Sequence, residues 1–85
     1  MNFNFDIISP KGKLFSGDVK QVTLPSSTGE LTILARHMPF VCCINIGKVE
    51  VRTEKEILKY SIGKGFFSIE GNQSTLLVED VLSTP

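Results

Sequence analysis

Phe3, Phe5 and Ile7 alternate with Asn2, Asn4 and Asp6 at the start of the chain, the period-two signature of a strand with one buried face. The "SPKGK" segment then turns the chain, because Pro fixes one dihedral and Gly accepts positive φ. Leu14 and Phe15 lead through "SGD" into a strand from Val19 to Leu24, with Val22 and Leu24 on one face, and "PSSTG" ends it. Leu31, Thr32 and Ile33 form a short strand that breaks at "ARHMP". From Phe40 to Ile46 both faces are apolar: Phe40, Cys42, Ile44 and Ile46 on one, Val41 and Cys43 on the other. Such a strand is either central in a sandwich or has one face against a partner.

After Gly47, "KVEVRT" and "EILKYSI" read as two strands around a polar "TEKE" turn. "FFSIE" and "STLLVEDV" follow as a hairpin joined by Gly71 and Asn72. No stretch keeps apolar residues at a 3.6-residue period over three turns. The pattern predicts an all-β chain of about eight to ten short strands, a sandwich or barrel, with Leu14, Val22, Leu24, Ile33, Tyr60, Ile62 and Phe67 in its core.

Eighty-five residues make one domain over 1–85, near the size at which a core buries roughly 60% of the unfolded surface. Nine Lys/Arg balance nine Asp/Glu, so nothing draws the chain to nucleic acid or anionic lipid. Uncharged runs such as Met38 to Gly47 are too short to span a bilayer, and "MNFNFDII" lacks the basic start and apolar core of a secretory signal. Cys42 and Cys43 are adjacent, which in a strand sends them to opposite faces and argues for a reducing compartment. With the one histidine they fall short of a structural zinc site.

His37, flanked by Arg36 and downstream of Glu30, invites a catalytic reading. A triad would need a nucleophile, base and carboxylate that meet, and no nucleophile turn or second His is present. Asp6, Asp18 and Asp80 lie in unrelated elements, so no acid pair is indicated either. His37 and Glu30 are expected at a surface or interface. Gly63-Lys64-Gly65 is too short for a phosphate loop and reads as a bulge or tight corner. A carrier lysine of a lipoyl- or biotinyl-like domain is the alternative for Lys64.

"DIISPKGKLFSGDVKQVTLP", "TGELTILARHMPF", "IGKGFFSI" and "LLVED" resemble, in order and spacing, the N-terminal β-sandwich of the epsilon subunit of F-type ATP synthases. The "GEL…H.P" segment is the most specific part. Ser26, Thr32, Ala35, Arg36 and Lys64 depart from the family pattern, the first two and Lys64 replacing Gly and the Ala35-Arg36 pair replacing Pro-Gly.

The resemblance implies a ten-stranded sandwich in the central stalk that links the gamma subunit to the ring of c subunits. It would couple proton translocation to ATP synthesis on the cytoplasmic side of the membrane, with no cofactor, no chemistry of its own and no direct insertion into lipid. Ser9, His37, Met38 and Cys42 match positions facing gamma, and Thr28, Gly29 and Glu30 match the tip facing the ring. The isolated domain is expected to be monomeric. Family members typically continue into an inhibitory C-terminal helical hairpin. With the sequence ending at Pro85, none is expected if this is the native length. A free-standing β-sandwich binding module remains the other reading.

Overall fold

Alternation in the sequence becomes ten strands: β1 Phe3–Ser9, β2 Gly12–Val19, β3 Gln21–Ser26, β4 Gly29–Leu34, β5 Phe40–Ile44, β6 Gly47–Arg52, β7 Ile57–Ile62, β8 Gly65–Glu70, β9 Gln73–Val78 and β10 Val81–Ser83. The computed structural model describes residues 2–36 and 38–83, the last three by backbone alone. Among the described residues there is no helix.

Hydrogen bonding joins the strands in the order β10-β7-β6-β3-β5-β8-β9-β1-β2, with β4 on the free side of β3. All pairs are antiparallel except β1 with β9. The path is weakest between β3 and β5, which meet only at Ser26 and Ile44. There the sheet folds over itself, giving one layer of β2, β1, β9, β8 and β5 and another of β4, β3, β6, β7 and β10. The chain passes between layers after Ile44, where the Asn45 N–H donates to the Pro25 carbonyl at 2.7 Å. Gly47 begins β6 at this corner, where a Cβ would sit 3.0 Å from the Pro25 ring.

Between the layers lies one core. Phe3, Phe5, Ile7, Phe67 and Leu76 face inward from the first layer, and Val22, Leu24, Ile33, Val49, Val51 and Ile62 from the second. Phe15 of β2 meets Tyr60 of β7 edge-on, with ring centroids 6.4 Å apart, and so ties the two layers together. Each fully buried large apolar side chain stabilises the fold by about 1.5–3 kcal/mol. Ser74 is buried among these residues, and its hydroxyl donates to the Asn4 carbonyl at 2.8 Å, which removes the cost of an unpaired polar group.

Three local expectations are revised. "SGD" does not interrupt β2, and the strand expected from Val19 to Leu24 is instead divided at Lys20 between β2 and β3. Leu14 packs against the core from its edge but is only half-buried: the register slips between Ile7 and Ile8, which makes Leu14 the extra residue of a bulge and puts Phe15, half-buried as well, opposite Ile7. Ile46 is exposed, since β5 ends at Ile44 and the chain is already turning toward the other layer.

Candidate interface

Four doublets of identical apolar residues, Ile7-Ile8, Cys42-Cys43, Phe66-Phe67 and Leu76-Leu77, lie in strands of the first layer. Successive strand residues point to opposite faces, so each doublet sends one member in and one out. Ile7, Leu76, Phe67 and Cys42 are register partners in turn across β1, β9, β8 and β5, and all four pack in or against the core. Their neighbours Ile8, Leu77, Phe66 and Cys43 are likewise partners across the same strands. They form a continuous row on the outer surface. Phe66 is 57% exposed and Leu77 50%, an uncommon disposition for large apolar groups standing side by side.

One step along the strands, the next outer row runs Val41, Ser68, Thr75, Asp6 and Ser16. The Ser16 hydroxyl donates to Asp6 at 2.7 Å, and Lys13 lies 3.9 Å from the other carboxylate oxygen. A third row holds Glu70, Gln73, Asn4 and Asp18. The face therefore grades from an apolar row, ended on β2 by Lys13 opposite Ile8, through a mixed row of hydroxyls with Val41 and Asp6, to an acidic row.

The outer surface of the second layer is different. Lys48, Glu50 and Arg52 of β6 alternate with inward Val49 and Val51, and Glu50 stands opposite both Lys59 and Thr23. Charges of both signs are interspersed there, as on a solvated surface, and its exposed apolar side chains, Leu34 of β4 and Ile57 of β7, stand apart at opposite ends of the row through Gln21 and Arg52.

Of the residues singled out from sequence, Thr28, Gly29 and Glu30 are all exposed and adjacent at the β3–β4 hairpin. Gly29 has φ of 125°, a conformation that suits glycine. Ser26, which replaces a family Gly, pins this hairpin: its hydroxyl donates to the Gly29 carbonyl and accepts the Thr28 N–H at 3.4 Å. Ser9 is half-buried in the β1–β2 turn, where its hydroxyl accepts the Lys11 N–H at 3.2 Å and donates to Gly12 at 3.3 Å. Met38 is exposed just before β5. Cys42 is half-buried on the core side, and burial, followed by the neighbouring Cys43 thiol, pushes its thiol pKa up. The exposed thiol of this pair is Cys43. His37 lies outside the described residues.

Ser9, Met38 and Cys42 thus belong to the apolar layer or its approach, and Thr28, Gly29 and Glu30 to the other layer. Arg36, where the family pattern has Gly, takes a left-handed conformation with φ of 63°. Lys64 is exposed in the β7–β8 turn, held through its carbonyl by the Glu79 N–H at 2.9 Å. No group of three or more metal-type side chains gathers among the described residues.

Sequence reading did not single out Phe66, Leu77 or Ile8. The doublets were the available signal, since in a strand a pair of large apolar residues always exposes one of them unless both faces are covered.

A family model described as "ATP synthase, Delta/Epsilon chain, beta-sandwich domain" matches residues 2–84. The ATP synthase epsilon chain of Porphyra purpurea chloroplasts is 40% identical over 78 residues, covering 92% of this chain and 58% of that one. The epsilon chain of Chlorobium limicola is 36% identical over 80 residues, with 93% and 91% covered. In shape, the chain resembles one in the central stalk and c-ring structure of Tetrahymena thermophila mitochondrial ATP synthase, with a TM-score of 0.83 at 14% identity over 94% of this chain and 65% of that one.

Proposed function

Because the chain belongs to the family of ATP synthase delta/epsilon β-sandwich domains, we propose that it is a non-catalytic rotor component that links gamma to the c ring. The observation that carries this reading is the contrast between the two outer surfaces. A domain that turned freely in water would gain nothing from a row of half-exposed Phe66, Leu77, Ile8 and Cys43, whereas a wedge between subunits needs one adhesive side. Gamma covers that side. Met38 and Ser9 at its margins and, outside the described residues, His37 extend the contact, and Cys42 supports it from beneath.

The β3–β4 hairpin meets the ring. Its tip presents Thr28, Gly29 and Glu30, a polar surface suited to the polar loops of c subunits and to a contact that must be held by hydrogen bonds. A sandwich held by one core transmits torque because its interior is close-packed and deforms little under load. The complex lies peripherally on the cytoplasmic side, and coupling of proton flow to ATP synthesis is the role served.

Recovery of the tagged chain from its own cells in mild detergent tests the reading. Gamma and c subunits should come with it in fixed ratio; recovery without them would refute it.

A further inference from the structure

We propose that the outer row of Cys43, Phe66, Leu77 and Ile8 is the seat for one amphipathic α-helix of the stalk partner, lying across the strands with a basic flank, and that Phe66 is its anchor. This rests on the reading above that a stalk subunit covers the face.

Direction comes from the register. The four apolar side chains line up perpendicular to the strands, one per strand, so their spacing is the interstrand distance of about 4.8 Å. A helix repeats its apolar stripe every three or four residues, or about 4.5–6 Å along its axis, which matches. An extended segment repeats its same-face side chains about every 6.6–6.8 Å and falls out of step by the third strand. Three interstrand steps span about 14 Å, or about nine to ten helical residues.

Charge supplies the flank. Beyond the hydroxyls of Ser68 and Thr75, the row of Glu70, Gln73, Asn4 and Asp18 carries two carboxylates and no cation. A helix with its apolar stripe over Phe66 has its flank above the hydroxyl row, from which a long Lys or Arg side chain reaches toward these carboxylates. Beside Phe66 a shallow cavity of about 500 Å³, bordered by Cys43, Leu77, Lys64 and Glu79, leaves room for a partner side chain to pack against the ring.

The test moves a single thiol along the row. In a background with Cys42→Ser, the native Cys43 is used first; then Phe66→Cys, Leu77→Cys and Ile8→Cys are each made with Cys43→Ser. Each variant is assembled with the partner, cross-linked through its thiol with a short photoreactive reagent, and mapped by mass spectrometry. The linked partner residue should advance by about three residues per step along one segment, about nine to ten in all. An advance of about one to two residues per step, the value for an extended segment, or links scattered over loops or to a second copy of this chain, would overturn the helix. Separately, Glu70→Lys with Asp18→Lys should weaken partner affinity at least threefold, and unchanged affinity would overturn the basic flank. Failure of the unmodified chain to assemble would instead sink the stalk reading, and this inference with it.

Discussion

The backbone of Gly65 runs so close to Leu77 that a Cβ added at Gly65 would overlap the Leu77 carbonyl oxygen. This contact fixes where β8 and β9 begin their pairing, and so places Phe66 opposite Leu77 on the outer surface. Because backbone cannot move aside as a side chain can, Gly65→Ala should destabilise the fold by about 3 kcal/mol, the upper end of overpacking costs. Denaturant titration measures it. A loss under about 1 kcal/mol would show that the two strands part easily.

Phe67 is fully buried and touches the rings of both Phe5 and Phe40. Truncation to Ala should cost about 3–5 kcal/mol. An equilibrium unfolding midpoint near that of the parent chain would contradict its place at the centre of the core.

Arg36 at φ of 63° carries a cost that glycine would not. Arg36→Gly should stabilise the domain by about 0.5–1 kcal/mol, the relieved strain less the added freedom of the unfolded chain. Thermal melts check it, and a lower melting temperature would show that the side chain makes contacts worth more than the strain.

Alkaline pH should loosen the fold. Burial, then the Cys43 thiol, raises Cys42 above its ordinary value of 9.0; burial, then the Glu56 carboxylate, raises Tyr60 above its ordinary 10.0. Below those values both groups are protonated folded and unfolded, and their contribution is intact. As pH climbs past 9 the unfolded chain gives up its protons first, so stability falls until the folded groups titrate as well. Melting temperature should decline as pH rises from about 9 to 11, and less steeply in a Cys42→Ala, Tyr60→Phe double variant. Equal slopes in the two proteins would contradict the assignment.

Much of this architecture was legible in the sequence because strand alternation is local. Phe3, Phe5 and Ile7 announced β1, and Val22, Leu24, Tyr60 and Ile62 fell where the pattern put them. The division at Lys20 and the bulge at Leu14 were not, since both depend on which neighbour a strand pairs with. The outer row was hidden for the same reason. Its members come from four strands, one pairing of which joins residues 70 positions apart, as Ser74 and Asn4 show. Doublets reveal that some apolar residues must face outward, but only the register shows that they meet. The left-handed turn at Arg36 gave no signal in residue type, which favours ordinary helical or extended backbone; only a glycine in the family pattern hinted at it.

The function proposed above requires that one outer surface of the sandwich, and not the other, binds gamma. Affinity for purified gamma, measured for the parent chain, for Phe66→Glu in the apolar row and for Lys59→Glu on the charged layer, tests it most directly. Phe66→Glu should lose at least tenfold in affinity, about 1.4 kcal/mol or more, with its melting temperature held, while Lys59→Glu binds as the parent does. Equal binding by all three, or a loss confined to Lys59→Glu, would show that the apolar row does not hold gamma.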